Sequence, residues 1–190
     1  MFLNKITDNL RKRLEREREH PKDTASYSSL MWYYSKVKTL RKTYRSSSES
    51  PIIEPGRMFL LGYNPRSPED LDYYDVYPVI FVIGYTKNGF LGLNLHYLPL
   101  DYRSRLFSAL VSYNSKPNRL DLSYNLIKTF SQSALAKVCI RRYISTNITD
   151  MVHIPQQDWA EVSGLPIEVF KKRSKETVWN ESLKKIRDQK

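Results

Sequence analysis

The sequence predicts an α+β fold, a small SH3-like β-barrel flanked by N-terminal and C-terminal helices. Three observations carry that expectation. Residues 55–98 hold short apolar runs rich in β-branched and aromatic side chains, the composition of half-buried or buried strands. Between two of these runs stands Asn88-Gly89, a pair that readily adopts the positive φ angles of a tight hairpin turn. On either side of the block, apolar residues recur at spacings of three and four, the period of an amphipathic helix.

Taken in order, residues 5–19 read as a helix with Ile6, Leu10 and Leu14 on one face. Its later half is densely charged, with pairs such as Arg11–Glu15 one turn apart, so the narrow apolar stripe docks lightly or projects. Pro21 ends it. Residues 26–45 form a stronger helix, because Leu30, Tyr33, Val37, Leu40 and Tyr44 make one continuous seam. Tyr34, Lys38, Arg41, Lys42 and Arg45 gather on a neighbouring face, an aromatic among four cations, which suits a phosphate backbone as well as it suits solvent. Trp32 lies off the seam and reads as an interaction anchor. The serines of 46–50 and Pro51 mark a linker, dividing a helical extension at 1–50 from a barrel core with packed helices at 51–190.

In the core, Met58–Tyr63 and Tyr77–Tyr85 read as strands, joined by a polar loop containing Asn64-Pro65 and Ser67-Pro68. The hairpin returns through Phe90–Leu98, and three short strands within so few residues point to the small barrel. Gly92 inside that strand marks a bulge or a close backbone approach. Asn94, if it points inward, needs partners, which Tyr73-Tyr74-Asp75 can supply. Asp75, just before Pro78, reads as a turn-former whose carboxylate caps backbone N–H groups. Tyr74, Asp75, Pro78, Gly92 and Asn94 are therefore expected to be structural. After Pro99, Asp101 caps a helix carrying Tyr102, Leu106, Phe107, Leu110 and Val111. Residues 114–118 form a loop, and 123–130 and 132–145 read as helices, the second ending in Arg141-Arg142-Tyr143. Met151–Ile154 is the last barrel strand, followed by short helices at 155–162, 166–171 and 175–187 that use Trp159 and Trp179 as core or docking anchors.

The chain of 190 residues is 41% hydrophobic, enough for a real core, and carries a net charge of +11. The charge is uneven: residues 1–50 hold 12 basic against 6 acidic residues, whereas 51–100 hold 3 against 5. A surplus of this size raises affinity for nucleic acid or acidic surfaces. Aromatic content is 13%, dominated by 14 tyrosines, whose apolar body and polar tip suit wet contact surfaces. The single Cys139 excludes an internal disulfide and fits a reducing compartment. No apolar stretch reaches a membrane span and no signal-peptide region opens the chain, so a soluble, non-secreted protein is expected.

The inventory argues against an enzyme. His20, His96 and His153 are scattered, no Cys/His cluster has metal spacing, and neither GxxxxGK[ST] nor GxGxxG appears. Glu69, Asp70, Asp72 and Asp75 cluster as a nuclease's metal carboxylates would, but the nearest cations are Arg66 and Lys87. The expectation is no catalytic residue, no cofactor and no metal.

Pro55-Gly56-Arg57-Met58-Phe59, Tyr73-Tyr74-Asp75 with Pro78, and Gly89 through Pro99 resemble the central block of a family from T-even-like myophages, commonly labelled DNA end protector proteins. Cys139-Ile140-Arg141-Arg142-Tyr143, Ile154-Pro155, Asp158-Trp159, Leu165 to Phe170 and Val178-Trp179 extend the resemblance over roughly 55–180. Residues 1–50 carry no motif of that family and read as a lineage-specific addition. The resemblance implies a non-enzymatic virion protein of the head, neck or packaging machinery, present in the host cytoplasm during assembly, that contacts or protects the DNA end. Its partners would be other virion proteins, itself in an oligomer or ring, and duplex DNA, with no membrane. For DNA, the residues expected to serve are Lys38, Arg41, Lys42 and Arg45, helped by Arg141, Arg142, Lys171, Lys172 and Arg173. The alternative is a tail, neck or baseplate assembly protein without DNA contact; a third reading is a host-directed RNA-binding or toxin-like barrel.

Overall fold

The computed structural model describes residues 52–112, 132–163 and 167–189. The two N-terminal helices, the loop at 114–118 and the helix at 123–130 expected from sequence lie outside these residues.

Strands β1 (Met58–Tyr63), β3 (Val79–Thr86), β4 (Gly89–Asn94), β5 (Ile140–Ile144) and β6 (Ile148–Ile154) build one antiparallel sheet in the order β5-β4-β3-β1-β6. A two-stranded ribbon pairs β2 (Tyr74–Asp75) with β7 (Phe170–Lys171). Helices α1 (Leu100–Ser112), α2 (Ala134–Lys137), α3 (Trp159–Ser163) and α4 (Lys175–Arg187) complete the fold.

The mixed helix and strand content agrees with the sequence, but the sheet is open rather than a closed barrel. β5 and β6 are its two edges, although only the short 3-10 turn Ser145–Asn147 separates them in the chain. The sheet must therefore curl until its edges approach, and register shifts between Val82 and Gly84 and between Gly62 and Tyr63 supply bends of the kind bulges give. Side chains, not a ladder, bridge the gap. The Tyr63 and Tyr143 rings meet edge-on at 5.0 Å, and the Ile144 N–H donates to the Tyr63 hydroxyl at 3.4 Å.

Both faces of the sheet are buried, which is why its strands read as nearly continuous apolar runs. Inside the curl, Phe59, Leu61, Ile80, Val82, Phe90 and Tyr143 pack together. On the other face Met58, Leu60, Val79, Phe81 and Leu93 meet the helices through Leu106, Phe107, Trp159, Val162, Val178 and Ile186. Phe81 sits among the rings of Trp159 at 4.9 Å and Phe107 at 5.6 Å, and the buried Trp159 indole donates to the Ile154 carbonyl at 2.9 Å. α4 begins where the Ser174 hydroxyl accepts from the Thr177 N–H, a cap worth about 1 kcal/mol. Its buried Val178, Ser182 and Ile186 fall one turn apart.

Three expected elements differ. β4 ends at Asn94 instead of running to Leu98, because the Asn94 side chain accepts from the His96 N–H and folds Leu95–Tyr97 into a 3-10 turn. The helix expected over 132–145 stops at Lys137, and Ile140–Ile144 is an edge strand paired with β4. There the open edge of β4 supplies ladder partners, and β-branched and aromatic residues favour the strand. Of the helix expected at 166–171, the described residues from 167 onward are instead extended chain leading to β7, held by the Val76 N–H on the Val169 carbonyl and by ring packing of Phe170 against Tyr97 at 5.2 Å.

Candidate nucleic-acid interface

The segment between β1 and β3 crosses the open side of the sheet. It is pinned from below by buried polar residues. Asp75 Oδ1 accepts from the Tyr77 N–H at 3.1 Å, the Asx turn that ends the loop before Pro78. Asp75 Oδ2 accepts from Asn94 Nδ2 at 2.9 Å and lies 2.8 Å from His96 Nδ1. Asn94 Nδ2 also reaches the Tyr143 hydroxyl at 3.2 Å, and the Trp179 indole donates to the His96 carbonyl at 2.8 Å. Asp75, Asn94 and His96 are each almost wholly buried, so every one of these bonds offsets a desolvation cost. Gly92 permits the arrangement, since a Cβ there would stand 2.8 Å from the Tyr143 ring and 3.0 Å from Ile80.

Above this network lies a groove of about 360 Å³. Its walls are the loop residues Tyr63, Pro65, Arg66, Ser67, Asp70, Leu71, Tyr73 and Tyr74 on one side and the edge strand Arg141–Ile144 on the other, with Tyr97 and Asp75 beneath. The Arg141 guanidinium lies over the Tyr97 ring at 3.8 Å from its centroid, and its Nη1 donates to the Ile140 carbonyl at 2.8 Å, so it is held flat. Arg66 and Arg142 are exposed. Burial, then the hydrogen bond and charge of Glu181, push the Tyr73 phenol up to about 12. Burial likewise raises Tyr97 and lifts Tyr143 well above the usual phenol value. All three rings stay neutral at physiological pH; Tyr97 and Tyr143 are buried beneath the groove, and Tyr73 is half-buried in its wall. Burial also pushes the Cys139 thiol up to about 12, which leaves it a buried small hydrophobe without thiolate reactivity.

The cations expected from sequence are only partly brought together. Lys38, Arg41, Lys42 and Arg45 lie outside the described residues. Arg141 and Arg142 stand side by side in the groove wall. Lys171 is exposed and sits opposite Tyr74 in the β2–β7 ribbon. Lys172 adopts a left-handed φ of 69°, and its Nζ donates to the Glu69 and Leu71 carbonyls at 2.9 and 2.7 Å, which ties the ribbon to the loop. Arg173 pairs with Glu181 at 3.3 Å. Asp75 and Asn94 form the buried network, Gly92 packs against its Tyr143, and the Trp179 indole closes it from α4; Tyr74 lies in the β2–β7 ribbon, and the buried Pro78 accepts from the Leu61 N–H through its carbonyl. Trp159 sits apart in the helix-side core.

His96 faces Asp75 from the 3-10 turn. Sequence reasoning missed Arg66 and the ring of tyrosines, which come from segments far apart in the chain; the abundance of tyrosine was the one available signal. It missed the sealed pair Arg103–Glu168 as well, 2.6 Å apart with both side chains 1% exposed.

Among the described residues no group of His, Cys, Asp and Glu is arranged to hold a metal ion, and no helix is long and apolar enough to cross a membrane. The family model of the phage T4 terminal DNA protecting protein matches residues 1–186. The chain belongs to this family. In this terminal DNA protecting family the match begins at the first residue, so the N-terminal fifty residues are part of the family pattern and not an addition to it. No curated protein and no solved structure matches the chain.

Proposed function

We propose that this protein is a non-enzymatic virion component of a tailed phage that holds the end of the duplex by its phosphate backbone and shields it, without reading sequence. The observation that carries the reading is the family match across nearly the whole chain. The net charge of +11 supports it, because cations that neutralise phosphates supply the sequence-independent part of DNA affinity. The groove adds aromatic surface beside three arginines. Asp75, which a nuclease would need as a free metal ligand, is engaged by Asn94, His96 and the Tyr77 amide; this supports action by binding alone.

In this reading the protein sits in the head, neck or packaging machinery, beside other virion proteins or further copies of itself, after assembly in the host cytoplasm. Lys38, Arg41, Lys42 and Arg45, with the exposed Arg142 and Lys171, supply phosphate contacts. A finer reading of the fold goes with it. The strand order, with a 3-10 turn before the last strand, supports an SH3-like arrangement that is left open so that the loop and the edge strand form the groove.

Binding to linear duplex DNA at a series of salt concentrations tests the proposal. Neutralising roughly four phosphates gives a slope of log affinity against log salt near about −3.6. Replacing Lys38, Arg41, Lys42 and Arg45 with Ser flattens the slope and weakens all sequences equally. No binding at low salt would replace this reading with that of a tail, neck or baseplate protein whose basic surface meets acidic protein.

A further inference from the structure

Phosphates are the same at the middle of a duplex as at its end, so backbone contacts alone cannot place a protein at a terminus. What an end offers and the interior does not is a base that can leave the stack. Resting on the DNA-end reading above, we infer that the groove between the β1–β3 loop and β5 takes one unpaired nucleotide at the end of a DNA strand, its base against tyrosine and its phosphate against arginine.

The groove's size fits. At about 360 Å³ it stands at the small end of ligand pockets, which run from roughly 300 to 1,000 Å³, and it suits one nucleotide rather than a duplex. Its lining fits as well. Tyr63, Tyr73 and Tyr74 are half-buried walls, so each keeps surface open to a ligand. Arg141, held flat on Tyr97, presents a second planar surface, and both aromatic rings and guanidinium planes stack on unpaired bases.

At the mouth, Arg66 and Arg142 are exposed, and among the described residues neither has an ion-pair partner. Leu71 beside them is 39% exposed, one of three exposed large hydrophobics among the described residues, and an apolar contact at a groove mouth marks a docking point. The Asp75 carboxylate is buried beneath the groove, and both its oxygens are occupied within the protein. Asp70 remains on the rim. It disfavours a continuous phosphate track through the groove, which limits the site to a single terminal nucleotide.

The test compares two DNAs of the same duplex sequence by fluorescence anisotropy with the full chain. One is a dumbbell closed by loops at both ends; the other has one end open with a short unpaired overhang. Wild-type protein binds the open form about tenfold more tightly, as one stacked base provides. Arg66→Ala with Arg142→Ala, both at exposed positions, and separately Tyr74→Ala, bring the open-end affinity down toward that for the dumbbell, with the melting temperature of the charge variant unchanged. Equal wild-type affinity for the two DNAs overturns the groove assignment and the end reading together and leaves only binding to duplex DNA in general. An end preference that survives in both variants overturns the groove assignment alone. Absence of binding to either DNA removes both readings together.

Discussion

Arg103 and Arg141 are both drawn out of bulk water onto apolar neighbours, yet only Arg141 keeps a face open to a ligand. Arg103, on α1, is 1% exposed and meets Glu168 at 2.6 Å. It also donates to the Leu98 and Ser163 carbonyls at 3.2 and 3.4 Å, so one side chain joins α1, the turn after β4, the end of α3 and the extended chain before β7. Arg141 lies half-buried on Tyr97 in the groove wall. The difference teaches where to look for function in a chain with 31 basic residues. A cation sealed with its counter-ion stabilises the fold, and a cation held flat on an aromatic ring at a groove is prepared for something else.

Breaking the sealed pair should have the largest effect. Glu168→Ala leaves a buried, uncompensated guanidinium and should destabilise the protein by about 3–5 kcal/mol, read from denaturant unfolding; a loss below about 1 kcal/mol would mean that Arg103 finds water and that the contrast is false. Asp75→Ala should cost about 1–3 kcal/mol by leaving Asn94 and His96 short of an acceptor, and it should loosen the groove because the loop loses its anchor. Arg141→Ala sharpens the comparison. It gives up the cation–π contact with Tyr97 and the hydrogen bond to the neighbouring Ile140 carbonyl, about 1–2 kcal/mol in stability, while its effect on end binding should be larger than its effect on unfolding.

The smallest effect is one of pH. His153 packs on Phe59 at 5.4 Å, and burial, with the charge of Arg57, lowers its pKa below the usual 6.5. The unfolded chain then takes up the proton first, so stability is full above about pH 6.5 and falls as pH drops toward the folded value. Unfolding midpoints at pH 7.5 and 5.5 should differ less in His153→Phe than in the wild type.

Much of the core was legible because its signals are local. The hairpin expected at 86–89 does join β3 to β4, but its turn is Lys87-Asn88, with Gly89 already in β4 opposite Thr86 and no positive φ at Asn88 or Gly89; the helix read at 175–187 has those limits in the structure. The need of Asn94 for partners also pointed toward Asp75, which it meets at 2.9 Å. What could not be read depends on distant pairing. Barrel closure rests on whether β5 and β6 reach each other, and no periodicity encodes that. Residues 140–144 looked helical beside the Ala- and Lys-bearing stretch before them, but the adjacent charges of Arg141 and Arg142 are those of an edge strand. The groove is assembled from Tyr63, Tyr73, Tyr97 and Tyr143, whose common location no spacing reveals.

The central claim is that the protein covers DNA ends. A linear duplex can be digested in parallel by an exonuclease that starts only at ends and by an endonuclease that cuts only in the interior, with and without the purified chain. The account predicts that the protein slows the exonuclease strongly and the endonuclease little. Unchanged exonuclease digestion at protein concentrations that saturate the DNA, or equal inhibition of both enzymes, would contradict it.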